Sequence, residues 1–144
     1  MQDTHISLAH GNGGRFMREL IDEIFAHYLV NPDLDVQADA VPIAIDGEAL
    51  FTTDGFTVQP LEFPGGNIGS LAVHGTCNDL AVAGAIPKYL SLNAFIEEGL
   101  EIEKLERIMH LNQSFDTAQY RAGQLGAVLG VASTSYGSIS FKVP

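Results

Sequence analysis

Apolar residues recur at helical spacing from Arg15 to about Leu29, where Phe16, Met17, Leu20, Ile21, Ile24, Phe25 and Tyr28 fall on one side. The pattern predicts an amphipathic helix stopped by Asn31-Pro32. Two short β-favouring runs follow, Ala40 to Ile45 and Ala49 to Thr53, with Asp46-Gly47 between them, which predicts strands joined by a hairpin turn. Asp54-Gly55 should end or bend the second strand, because both residue types weaken a strand interior. After a Pro64-Gly65-Gly66 break, Ile68, Leu71, Ala72, Val73, Leu80, Ala81, Val82 and Ala83 suit a helix buried on most of its surface. Gly69, Ala72, Gly75, Ala81, Ala83 and Gly84 are small enough there for close packing, and Pro87 is expected to end the helix. Tyr89 to Ile96 reads as a strand apolar on both faces, closed by Glu97-Glu98-Gly99. Glu101 to about Asn112 predicts a second amphipathic helix with Ile102, Leu105, Ile108, Met109 and Leu111 inward, and Val128 to Ser133 and Ser138 to Val143 read as strands around Tyr136-Gly137.

With 144 residues, 46% of them apolar, the chain is one domain with enough hydrophobic surface to build a core. Its charge excludes more than its size does. Seven basic residues stand against eighteen acidic, a formal net charge of −11, so the average field repels nucleic acid and anionic membranes. No nucleic-acid partner is expected. A phosphate ligand would have to be held by backbone amides, a few cations or a divalent metal. The single cysteine, Cys77, cannot close an intramolecular disulfide, and neither a secretory leader nor a long apolar run stands out, so a cytoplasmic setting away from the membrane is expected.

Asp54 and Asp79 are the candidates for chemistry, each at an element boundary in apolar surroundings. If Asp79 lies within a packed helix, an unpaired carboxylate costs several kcal/mol, so it should find a cation, a donor cluster or a metal. Hard oxygen donors of this kind suit Mg²⁺, which binds through one or two carboxylates plus phosphates. The plainer alternative makes Asp54 a turn former and places Asp79 on an exposed helix edge, and periodicity alone favours it. His10-Gly11-Asn12-Gly13-Gly14 directly precedes the first helix, whose free N–H groups and dipole favour anions. No Gly-Lys-Ser/Thr follows, so it is not a Walker A loop, and the alternative is a leader that merely turns the chain. Arg15 is the nearby cation. His74 and Cys77 can share a helix face but are too few for a structural zinc site, and Cys77 reads as a core residue. His110 suits the end of its helix, and Glu97 and Glu98 read as solvated charges.

LAHGNGG (residues 8–14), FTTDGF (51–56), PLEFPGGNIGSLAVHGTCNDLAVAGAIPKYLSL (60–92) and FIEEGLE (95–101) together resemble the amino-terminal domain of the HypE family of [NiFe]-hydrogenase maturation proteins. That family is similar to aminoimidazole ribonucleotide synthetase, selenophosphate synthetase and thiamine monophosphate kinase, and the likeness runs from about residue 5 to residue 118. It implies an α+β fold, a mixed β-sheet with helices packed on one face that dimerises through the sheet. It implies an ATP-binding amino-terminal domain over 1–118, a divergent tail over 119–144, and no counterpart of the family's second domain. By the same resemblance His10, Gly11, Asn12, Gly13, Gly14, Thr53, Asp54, Asn78 and Asp79 would contact ATP. Asp39, Asp54 and Asp79 would hold Mg²⁺, Asp39 through its similarity to an Asp-Ala-Ala step. No catalytic residue is assigned.

In the family, a carboxy-terminal cysteine is carbamoylated and ATP-dependent dehydration turns the carboxamide into a thiocyanate for the iron cyanide ligands, with HypF, HypC and HypD as partners. The likeness fails from about Ala118, and neither the family's Gly-Asp-Thr-Lys motif nor its terminal cysteine is found here. The expectation is a truncated or frame-shifted product that forms a homodimer and binds Mg-ATP weakly. The alternatives are a non-catalytic dimerisation module and another ATP-dependent enzyme of the superfamily.

Overall fold

The structure, a computed structural model, describes residues 1–29 and 34–110 together with the backbone of residues 140–142. The first amphipathic segment is helical throughout: α1 (Arg15–Leu20), a π-helical turn over Ile21–Phe25, and α2 (Ala26–Tyr28). Most of its periodic apolar residues go inward as the spacing requires, while Phe16 in the first turn stays exposed. Leu20, Ile24, Phe25 and Leu29 pack with Val73 and Cys77 of α3 (Ile68–Val82), and with Ile102 and Leu105 of α4 (Ile102–Ile108) and the adjacent Met109. Burying each large aliphatic or aromatic side chain contributes about 1.5–3 kcal/mol, so this three-helix contact is the stabilising centre of the described fold. Ile6 joins it from the leader, whose backbone lies along residues 99–102 through Ile6 N–H to Leu100 O (2.8 Å), Gly99 N–H to Ile6 O (2.8 Å) and Ile102 N–H to Thr4 O (2.9 Å).

The Pro64-Gly65-Gly66 break is a hairpin rather than a loop. β1 (Glu62–Phe63) pairs antiparallel with β2 (Gly66–Asn67), and Gly65 takes φ +94°, a conformation that favours glycine. β2 runs straight into α3. Asn67 caps the helix by accepting Ser70 N–H at 2.9 Å, while its own N–H donates to Ser70 Oγ at 3.0 Å. At the other end Gly84 (φ +83°) donates to Ala81 O at 3.0 Å and Ala85 N–H to Leu80 O at 2.8 Å, the paired bonds of a Schellman stop. The helix therefore ends at Val82 on a left-handed glycine, ahead of the Pro87 expected to end it.

The strand expectations need correction. Residues 40–45 and 49–53 form no ladder, and residues 92–96 continue none; only β3 (Tyr89–Ser91) pairs, antiparallel, with β4 (Ser140–Lys142) in the register Tyr89 to Lys142. Among the described residues the fold is α+β with two separate two-stranded antiparallel sheets, in place of one mixed sheet. The physical reason is pairing. The alternation in these runs suits a half-buried sheet, yet a ladder forms only where a neighbouring backbone takes its N–H and C=O groups, and among the described residues 40–58 meets no such backbone, Ala44 O accepting the Tyr89 hydroxyl instead. Ile43, Ile45, Leu50 and Phe51 are left at least half exposed as a result. Asn31-Pro32, the strand expected at 128–133 and the boundary at 118–119 lie outside the described residues.

Candidate functional site

The glycine segment leaves the leader as a 3-10 turn, Leu8–Gly11, and reaches α1 through residues 12–14. Gly13 has φ +77°, which a side chain would strain, and Gly14 N–H donates to Asn12 Oδ1 at 3.0 Å. Arg18 N–H then donates to Gly14 O at 3.1 Å, opening the helix. A side chain built on Gly11 or Gly13 would meet no atom within 4 Å, so the loop backbone is open on that side. His10 does the opposite and turns inward, 4% exposed, with Ser7 N–H donating to its Nδ1 at 3.0 Å and Nε2 lying 3.5 Å from Asp3 Oδ2. Arg15 is exposed beside the loop, 3.2 Å from Glu19 and 5.3 Å from the centre of the Phe16 ring.

The other candidates come from the segment that was expected to be a strand. Phe56 is held against α3 at Gly75, where a Cβ would lie 2.4 Å from the ring, so only glycine allows this approach. That contact carries Thr52, Thr53 and Asp54 alongside the helix. Thr52 Oγ–H donates to Asp79 Oδ2 at 3.3 Å, and Asp54 Oδ1 accepts Gly55 N–H at 3.0 Å. Asp54 and Asp79 are both exposed, so the expectation of a buried Asp79 is replaced by the edge position that periodicity favoured. Neither carboxylate needs a cation to offset burial, and both stand at the surface as hydrogen-bond acceptors.

Thr53 and Asp54 line a broad open trough of about 2350 Å³. It is lined by Ile68, Ala72, Thr76 and Leu80 of α3, by most of residues 41–61, by residues 85–100 and by Lys104 and Leu105 of α4. Asn78 and Asp79 are absent from that wall, as are His10 to Gly14. Asp39 lines a separate hollow of about 300 Å³ with Ile21, Phe25 and Leu34. The structure thus joins Asp79 to the Thr52–Asp54 segment by one hydrogen bond and leaves Asp39 and the glycine loop in other places. Among the described residues no three His, Cys, Asp or Glu side chains are grouped as metal ligands.

Two features escaped the sequence reading. Thr52, whose hydroxyl donates to Asp79, is not among the sequence candidates, although a hydroxyl at alternate spacing from Asp54 is a signal for it. Glu62 and Arg107 form a two-bond pair, Nε to Oε1 at 2.7 Å and the terminal nitrogen to Oε2 at 3.0 Å, which ties the β1–β2 hairpin to α4. The Arg107 hydrogen bond holds the Glu62 carboxyl below its ordinary range, and Asn67 Nδ2 reaches Arg107 O at 3.4 Å. Nothing in the sequence signals a pair 45 residues apart. Cys77 is buried, and burial pushes its thiol up to about 12, so it is a core residue rather than a nucleophile.

Residues 37–124 match the family model for the AIR synthase related protein, N-terminal domain. The carbamoyl dehydratase HypE of Escherichia coli K12 is 46% identical over 112 residues, covering 74% of this chain and 33% of that protein. The HypE of Rhizobium leguminosarum bv. viciae is 52% identical over 104 residues, covering 72% of this chain and 30% of that protein. Among solved structures, the hydrogenase maturation protein HypE in complex with ATP superposes with a TM-score of 0.65 at 39% identity, covering 81% of this chain and 34% of that one. The chain spans about a third of the length of these relatives.

Proposed function

The chain belongs to the AIR synthase related protein family, within its N-terminal domain, and on that premise we propose that it is a HypE-type ATP-binding domain acting in [NiFe]-hydrogenase maturation. The observation that carries the proposal is the Thr52–Asp79 hydrogen bond, which brings Asp79 beside the Thr52–Asp54 segment. The likeness to a HypE bound to ATP supports the choice of ligand. On the family likeness Gly11, Asn12, Gly13 and Gly14 would contribute backbone N–H groups to the phosphates, with the buried His10 at the base of their loop.

The exposed carboxylates of Asp54 and Asp79, with the Thr52 hydroxyl beside them, fit the hard-oxygen chemistry of Mg²⁺. They would hold it, and Asp39, which lines a separate hollow, is kept as a third ligand on the family likeness alone. Mg²⁺ would supply charge neutralisation, which a chain of net charge −11 needs before it accepts a triphosphate. The chain's own groups would bind and orient the nucleotide.

The open trough supports a homodimer. Ile43, Ile45, Leu50, Phe51 and Phe95 are 50–85% exposed around an unpaired segment, and a second copy would cover these residues and complete their sheets. ATP-dependent dehydration of a Cys-linked carboxamide to a thiocyanate, in the cytoplasm with HypF, HypC and HypD, is proposed for the function as a whole. Nucleotide binding and dimerisation are this domain's share of it. A non-catalytic dimerisation module is the second reading, favoured by the same exposed residues.

Calorimetric titration with ATP and Mg²⁺ tests the site. Asp54→Asn and Asp79→Asn are each expected to weaken binding by about tenfold or more, with Asp39→Asn run beside them. Equal heats for the parent, Asp54→Asn and Asp79→Asn would reject the metal site. A dimer by sedimentation with no response to nucleotide would favour the second reading.

A further inference from the structure

His10 sits in the middle of the glycine segment yet is 4% exposed, the one buried polar residue among the described residues. Its Nδ1 faces three groups of Ser7: the backbone N–H at 3.0 Å, the hydroxyl at 3.1 Å and the carbonyl oxygen at 3.3 Å. The backbone N–H is a fixed donor at the shortest of these distances, so Nδ1 is the acceptor and the ring proton belongs on Nε2. Nε2 points to the Asp3 carboxylate, 3.5 Å away, close enough for attraction though without hydrogen-bond geometry, which leaves it the single buried side-chain polar atom without a hydrogen bond among the described residues. The ring edge meets Phe16 in the first turn of α1, centroids 5.8 Å apart at 70°. The imidazole therefore touches chain on both sides of Gly11–Gly14, Ser7 before and Phe16 after, while the loop itself has open space beside Gly11 and Gly13.

We infer that His10 is a positioning residue, fixed as the neutral Nε2–H tautomer, which clamps the two ends of the Gly11–Gly14 loop and does not itself touch the ligand the loop receives. As an anchor of the loop it stands on the geometry; as an aid to nucleotide binding it rests on the ATP reading above. A loop with three glycines in four residues loses much conformational freedom when it orders, and a buried clamp at its base removes part of that loss before binding.

The test is long-range ¹H–¹⁵N spectroscopy of the imidazoles, with backbone amide shifts, on the whole chain. The expected result is an unprotonated Nδ1 and a protonated Nε2 for His10. Asp3→Asn, an exposed change that leaves the fold intact, should shift the Nε2 signal and keep the tautomer. His10→Leu should move the Gly11, Gly13 and Gly14 amides, and His10→Asn, whose Oδ1 stands near the lost Nδ1, should bring them back. Mg-ATP should shift the loop amides and leave the His10 ring nitrogens in place, and its affinity should fall about tenfold in His10→Leu and recover in His10→Asn. An Nδ1–H tautomer, unmoved loop amides in His10→Leu, or ring nitrogens shifted by ATP as by a direct contact would overturn the clamp. If the parent chain shows no response to Mg-ATP, the nucleotide reading fails, and the tautomer and loop shifts still decide the anchor.

Discussion

Gly75 lies in the middle of α3, where replacing glycine by alanine would ordinarily stabilise a helix by about 1 kcal/mol. Here the opposite is expected. The new Cβ would stand 2.4 and 2.6 Å from two carbons of the Phe56 ring, and Phe56 is only 8% exposed, so the ring must leave its seat or the segment carrying it must lift. Overpacking of this kind costs about 1–3 kcal/mol, and partial exposure of a phenyl ring forfeits a good part of about 1.5–3 kcal/mol. Setting these against the helix gain gives a net loss of about 1–4 kcal/mol for Gly75→Ala. Urea unfolding of Gly75→Ala, Phe56→Leu and the double variant measures it as a cycle. The double variant should recover most of the loss that Gly75→Ala alone incurs, because the smaller side chain clears the Cβ. Gly75→Ala more stable than the parent by the helix increment would refute the close approach, and with it the means by which Thr52 to Asp54 are brought to the helix.

Asn67→Ala removes the acceptor for Ser70 N–H and should cost about 1 kcal/mol, read as a lower urea midpoint at unchanged slope. The Cys77 thiol, raised from 9.0 to about 12 by burial, should resist alkylation at pH 8 in the native chain and react readily in denaturant. The sign for stability follows from the same shift. The folded state keeps its proton to higher pH than the unfolded one, so Cys77 favours folding fully below pH 9.0 and that contribution is lost as pH rises toward about 12. Cys77→Ala should flatten the alkaline fall in melting temperature over that window, and an unchanged slope would contradict the burial.

The helices were legible because each carries its own evidence. Leu20, Ile24 and Phe25 repeat at the spacing of one face, whereas the bounds of α3 are set by the Asn67 cap and the Gly84 stop and not by the Pro87 expected to end it. Strand formation has no such local warrant. The β-favouring residues of 40–53 predict strands joined by a hairpin turn, but whether a ladder forms depends on a partner that the segment's own sequence does not name. The carboxylates show the same limit. Asp54 and Asp79 stood out by residue type, yet Asp79's exposed position and its bond from Thr52 depend on how residues 52–56 lie across α3, which in turn depends on Gly75 receiving Phe56. The inward turn of His10 was hidden for a similar reason: its partners, Ser7 and Asp3, are ordinary polar residues of a short leader whose placement is set by pairing with residues 99–102.

Paramagnetic broadening by Mn²⁺-ATP of the backbone amides tests the central claim most directly, since the effect falls steeply with distance from the ion. Selective loss of the Asp54, Gly55, Asn78 and Asp79 amide signals is expected, with weaker loss at Gly13 and Gly14 and recovery when Mg²⁺-ATP is added in excess. Broadening spread evenly over the exposed acidic residues, or centred away from the Thr52–Asp79 edge, would contradict it.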